Sequence, residues 1–222
     1  MFPIVEEGGK PWWHWRRWGY QLGHFHLAWW SGKHYDRYVD REVGFLRHAL
    51  SIDEDRARFP RVGWGRPSDL AWHKERGRED WLVQKWFAGN HSDIGGSYPE
   101  EESRLSDIAL RWMVEELKAA MGDAVTVLDE RLVTSPNALG LQHSERTGML
   151  NAQPAWLRRI TGCRLVWTHA DRDIHPDAQL HTTVLERLGA PHVPQMGEVK
   201  PYRPESLRGH REAKAMYSRS DD

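Results

Sequence analysis

A short apolar run that breaks into a glycine-rich polar turn and then returns as an amphipathic helix leaves a chain few ways to fold. Residues 82–88, LVQKWFA, are such a run, apolar at the far end as a buried strand is. The turn NHSDIGG follows directly. Leu105, Ile108, Ala109, Trp112, Met113, Leu117, Ala120 and Met121 then recur with the 3.6-residue period, which predicts a helix. Ser103 or Ser106 is placed to cap its start, and Gly122 to end it. Strand, turn and helix in that order build α/β folds with parallel sheets.

The rest of the chain is read around that unit. Val39, Val43, Leu46, His48, Ala49 and Leu50 predict a helix that fades into the acidic stretch after it. Residues 66–80 are polar, with Pro67 and Gly77, and read as loop. AVTVLDERLV after Gly122 fits a short strand or a short helix equally well. Residues 134–162 read mostly as loop, CRLVWTHA (163–170) as a second buried strand and LHTTVLERL (180–188) as a short helix. Pro191, Pro194, Pro201 and Pro204 predict an extended surface tail, with the charged last dozen residues frayed.

Thirteen tryptophans are many for 222 residues, and six precede residue 31. Trp12, Trp15, Trp18, Leu22, Phe25 and Trp29 fall at spacings of three and four, one stripe of a helix interrupted by Gly19 and Gly23. The stripe suits either an aromatic face packed on the domain or an interfacial segment lying on a membrane, which makes Trp12, Trp15, Trp18 and Trp29 lid or membrane candidates.

Formal net charge is −1, so no basic field argues for nucleic acid. Cys163 is the single cysteine, which excludes an intrachain disulfide and a C-x-x-C metal knuckle. It opens an expected buried strand, where thiols are usually inert. The opening MFPIVEEGGK lacks the basic start and apolar core of a signal peptide, and no run of 18 apolar residues exists to span a membrane.

His91 stands three residues past the expected strand end, where α/β sheets gather reactive groups. An imidazole there suits general-base chemistry because its pKa lies near neutrality. Asp93 is placed either to orient that imidazole or to satisfy the turn backbone. Gly89, Gly95 and Gly96 shape the loop. His and Asp are also ordinary turn residues, so the spacing alone is compatible with no chemistry at all.

WFAGNHSDIGGSYP followed by LSDIALRWM resembles the signature of the type VI secretion lipase effector catalytic domain, an α/β-hydrolase family long listed only as a domain of unknown function. That signature runs W-F-x-G-x-H-S-D-V-G-G-G-Y and continues in a helix L-S-D-I-A-L-x-W-M. Asn90 and Ser97 depart from it. HALSIDEDRARFPRVGW, LGLQHSERTG, IHPDAQLHTTVLERL and PYRPESL are similar to further blocks of that family, from about Glu42 to Leu207. The resemblance implies Ser–His–Asp hydrolysis of lipid esters, with His91 as general base. It also implies an effector delivered out of a bacterial cell after synthesis in the cytoplasm.

The nucleophile is the missing piece. No serine in these residues has glycine two before and two after it, as the G-x-S-x-G elbow requires. The family's W-D-T-V-G segment, the expected source of the acid, is absent too. The expectation is therefore the carboxyl-terminal portion of an α/β-hydrolase-like domain with an incomplete parallel sheet, spanning residues 38–210. An aromatic segment, 1–37, precedes it and a charged tail, 211–222, follows it. Such a chain is expected to be inactive alone, or part of a split or truncated enzyme acting on lipid or ester. A membrane surface is a candidate partner, and no cofactor is expected.

Two alternatives stand beside that reading. One is a non-catalytic remnant that binds membranes or a partner. The other is a metal-binding protein using His14, His24, His26, His34 and Asp36, with His91 and Asp93 as added ligands, although no H-E-x-x-H or comparable spacing is present.

Overall fold

The computed structural model describes residues 4–6, 39–57, 59, 61–145, 164–166, 169–195 and 197–217. Its elements in chain order are β1 (Ile4–Glu6), β2 (Leu46–Ser51), α1 (Pro67–Lys74), β3 (Leu82–Phe87), α2 (His91–Gly95) and α3 (Arg104–Met121). There follow β4 (Arg164–Val166), α4 (Thr182–Gly189), β5 (Val193–Gln195), β6 (Glu198–Lys200) and α5 (Lys214–Tyr217). The tryptophan-rich stretch from Trp12 to Trp29, the histidines from His14 to His34, and Cys163 lie outside the described residues.

The chain divides into two compact units. The first gathers residues 1–37, 55–60 and 144–170. In it β1 and β4 pair antiparallel, Ile4 opposite Val166. Ala170 N–H donates to the Asp55 carbonyl at 2.8 Å. The expected strand over 163–170 is present as the shorter β4.

The second unit is α/β. Its centre is a parallel pair, β2 beside β3, with Leu46 opposite Leu82 and Ser51 opposite Phe87. The ladder runs past both strands: Ile52 N–H donates to Phe87 O at 3.0 Å and Asp53 N–H to Gly89 O at 3.1 Å. On the other edge of β3, Trp86 N–H bonds Gln179 O and His181 N–H bonds Trp86 O, each at 2.9 Å. Residues 46–51 are thus a strand, not the expected helix. Asp40 caps a turn through Glu42 and Val43, and the ladder with the distant 82–87 segment then outweighs the local period.

Two apolar clusters flank the pair. One joins Leu50, Ile52 and Trp86 to Val184 and Leu188 of α4, and to Tyr202, Leu207, Ala213 and Tyr217. The other packs Phe87 against Leu105, Ile108, Ala109 and Trp112 of α3. At roughly 25 cal/mol per Å² of apolar surface, each buried large side chain contributes about 1.5–3 kcal/mol.

Helix α3 matches its period. Ser103 occupies the N-cap position, although its hydroxyl donates backward to Tyr98 O and Pro99 O instead of capping. Helix α1 replaces the expected loop. Pro67 opens it, and Asp69 of its first turn is held by Arg41 and Arg66. The 124–133 stretch is neither strand nor α-helix; it carries parts of two 3-10 turns, Gly122–Ala124 and Asp129–Arg131. As far as Tyr217, the last residue described, the tail does not lie extended on the surface. It forms the β5–β6 hairpin and α5, because Tyr202, Leu207, Ala213 and Tyr217 reach the larger cluster. Tyr217 also donates its hydroxyl to Pro204 O at 2.6 Å.

Candidate active site

The turn after β3 is built around a buried asparagine. Asn90 caps α2: its side-chain oxygen accepts from Ser92 N–H at 2.8 Å and Asp93 N–H at 2.9 Å. Asp93 answers by accepting from Asn90 N–H at 3.0 Å, closing a capping box. The residue that departs from the family pattern at position 90 is therefore the one that starts the helix. Gly89 is required here, with φ +114° and a hypothetical Cβ only 2.5 Å from Asp93 Cβ. Gly96 ends α2 at φ +76°, its N–H on Ser92 O. Gly95 is the last residue of α2 and lines the cavity described below.

This construction projects His91 from the first position of α2, its side chain 46% exposed. Its Nδ1 lies within hydrogen-bond reach of Glu54 Oε2. Glu54 is only 2% exposed and follows β2 as His91 follows β3. A carboxylate behind Nδ1 fixes the ring orientation, favours the Nδ1–H tautomer and leaves Nε2 as the basic atom. Sequence reasoning missed Glu54 because residues 39–50 read as helix. As a strand, the same stretch puts Glu54 beyond its carboxyl end, next to His91.

Asp93 does not contact His91 among the described hydrogen bonds. Its Oδ2 accepts from Asn90 N–H and from His143 N–H at 3.1 Å, and its Oδ1 faces His143 Nδ1 at 2.8 Å. Burial pushes its carboxyl up, against the pull of His143 and the backbone donors. Of the two roles open to Asp93 in the sequence, these contacts belong to ordering the turn.

A cavity of about 470 Å³ opens beside His91, walled by Ala49, Ile94, Ala109, Leu110 and Met113. Its size and apolar walls suit part of a lipid-sized ligand. His48 also lines it, with Nδ1 3.2 Å from Gln84 Nε2. Burial, then the charge of Arg61, lowers the His48 pKa to about 4, so this imidazole is neutral at pH 7. Leu110, Met113, Leu117 and Met121 are exposed along α3, extending the apolar wall beyond the cavity.

Among the described residues no group of three or more His, Cys, Asp or Glu side chains is placed to hold a metal ion, and no helix is long and apolar enough to cross a membrane.

Residues 7–116 match the family model described as "T6SS, Phospholipase effector Tle1-like, catalytic domain". The matched span begins well before Glu42, ahead of Trp12, and ends within α3. An uncharacterized protein of Saccharomyces cerevisiae, YEL023C, is 47% identical over 38 residues, covering 16% of this chain and 6% of that protein. The chain thus spans a small part of that relative's length. No solved structure matches.

Proposed function

Because residues 7–116 belong to the Tle1-like phospholipase effector catalytic-domain family, we propose that this chain supplies the acid–base half of a serine-type phospholipid hydrolase. Glu54 orients His91, and His91 takes the proton of the attacking hydroxyl and returns it to the leaving alcohol. The carrying observation is the Glu54–His91 contact just beyond the carboxyl ends of two parallel strands. In α/β-hydrolases the triad runs serine, acid, histidine along the chain, and Glu54 precedes His91 as that order requires.

The nucleophile lies outside these 222 residues on this reading, since no serine here sits in the elbow sequence. The parallel pair β2–β3 supports reading the unit as part of an α/β-hydrolase-like sheet that a further strand, bearing the nucleophile, completes. The cavity at His91 receives an acyl chain, and the exposed apolar side chains of α3 continue toward a lipid surface. Membership of an effector family supports export by a type VI secretion system.

The 222-residue protein tests this directly. A fluorophosphonate probe should fail to label any serine stoichiometrically. An activated ester such as p-nitrophenyl butyrate should be hydrolysed slowly, and His91→Ala should remove that hydrolysis. Stoichiometric serine labelling contradicts the external nucleophile. Hydrolysis unchanged in His91→Ala contradicts the general-base role.

A further inference from the structure

His91 is carried by a helix of five residues, too short to hold its own geometry in water. What holds it is therefore a property of its surroundings. On the β2 side the fixings are Asp53 N–H on Gly89 O and Gly89 N–H on Asp53 Oδ2 at 2.6 Å. Ile94 packs against the Phe87–Trp112 cluster, and most of the turn's remaining polar contacts converge on one residue, His143, 50 positions beyond Asp93.

Its ring is stacked on Tyr98, centroids 3.6 Å apart and planes 18° off parallel. Nδ1 lies 2.8 Å from Asp93 Oδ1 and Nε2 lies 3.1 Å from Glu102 Oε2. Its backbone N–H donates to Asp93 Oδ2, and its carbonyl accepts from Asn90 Nδ2 at 3.2 Å. The same Asn90 amide donates to the Tyr98 hydroxyl at 3.0 Å. Asn90, Asp93, Tyr98 and Glu102 straddle His91, and all four meet at position 143.

We infer that His143 is a positioning residue: it fixes the turn that aims His91 at Glu54, and takes no part in the chemistry itself. The inference rests on the Glu54–His91 reading of the site. With Nδ1 beside Asp93 and Nε2 beside Glu102, the ring ties α2, through Asp93, to the segment before α3, through Glu102. Its own side chain is only 10% exposed, and both nitrogens are occupied by those contacts. Loss of the ring leaves Asp93 buried with one oxygen unpaired and frees α2 to shift. A displacement of about 1 Å at a catalytic group is enough to cost roughly 100-fold in rate.

The test uses proton NMR and amide exchange on the 222-residue protein. The Nδ1 proton of His91 should give a far-downfield resonance that disappears in Glu54→Gln. His143→Phe keeps the stack on Tyr98 and removes both carboxylate contacts. It should abolish or broaden that resonance and speed exchange of the α2 amides ~10-fold, with β2 and β3 unchanged. His143→Asn, whose amide replaces the Nδ1 donor, should restore the resonance.

A resonance and α2 exchange unaltered by His143→Phe would overturn the inference. Should that variant not fold, Glu102→Ala removes only the Nε2 partner at a half-exposed site; unaltered α2 exchange there overturns it equally. A wild-type protein without the downfield resonance overturns the Glu54–His91 pairing, and with it the ground for this role.

Discussion

Glu54 and His91 stand beyond the carboxyl ends of adjacent parallel strands and meet across the strand boundary, a buried carboxylate against a half-exposed imidazole. Neither strand alone makes this pair. The Ser51–Phe87 register and the bonds Ile52–Phe87 and Asp53–Gly89 bring the two loops to the same height, so the sheet ladder sets the dyad.

Glu54→Gln keeps the volume and removes the carboxyl group that faces His91 Nδ1. The His91-dependent hydrolysis of p-nitrophenyl butyrate should fall at least ~10-fold; in a complete triad the loss of such a carboxylate costs about 10⁴ in kcat. Initial rates at pH 7.5 check this, with urea unfolding as a control for the fold. A rate equal to wild type would show that Glu54 does not serve His91.

Gly89→Ala tests the tightest point of the turn. At φ +114°, with the new Cβ 2.5 Å from Asp93 Cβ, the substitution cannot be absorbed by a flexible side-chain tip. The strained backbone costs of order 1–3 kcal/mol, and the contact adds to it. A drop in urea stability of at least about 2 kcal/mol is expected, with loss of His91-dependent hydrolysis. A neutral variant would mean that the turn is looser than this geometry.

The parts of this molecule legible in the sequence are those whose burial is apolar and local. Helix α3 buries Leu105, Ile108, Ala109 and Trp112 at helical spacing, and α4 buries Val184 and Leu188, so period alone locates both. Helix α1 buries Asp69 and His73, polar residues held by Arg41, Arg66 and a stacked Trp81, and an apolar period cannot register that. Strand β2 failed differently. Leu46 and Leu50 fit a helix and a strand alike, and the deciding partner lies 36 residues away. With β2 unseen, Glu54 had no place in the site, while His91 was legible because its strand and turn are contiguous.

Arg187 is buried at 0% exposure on the apolar face of α4, where it follows Val184 by three and precedes Leu188 by one. Its guanidinium donates to Ala138 O at 2.7 Å, Gly140 O at 2.9 Å and Pro194 O at 3.2 Å. It therefore anchors the 138–142 loop, which leads into His143, and strand β5. Arg187→Met leaves Ala138 O and Gly140 O without this donor, each a penalty of about 1–3 kcal/mol, while Pro194 O keeps Gln142 N–H at 3.1 Å. The expected loss is at least roughly 2 kcal/mol in urea unfolding, and it should also quicken α2 amide exchange through His143. A variant as stable as wild type would show that water or other donors replace the guanidinium.

Asp53 sets a pH dependence of opposite sign to the usual carboxylate. Desolvation raises its pKa from 3.8 to about 6, against the opposing hydrogen bonds from Gly89 and Tyr202. The folded protein therefore holds this proton more tightly than the unfolded chain does. The stability associated with it is fully present below pH 3.8 and is lost as pH rises through 6. Gly89 N–H and Tyr202 O–H both donate to Oδ2, at 2.6 and 2.7 Å, so one amide oxygen in Asp53→Asn can accept both without the charge. The variant should match wild type near pH 4 and exceed it by up to roughly 3 kcal/mol above pH 7. Urea unfolding at pH 4 and pH 8 measures the difference. A variant less stable than wild type at pH 8 would mean that the ionised carboxylate is wanted there, by Arg187 or by the turn, and that desolvation does not dominate.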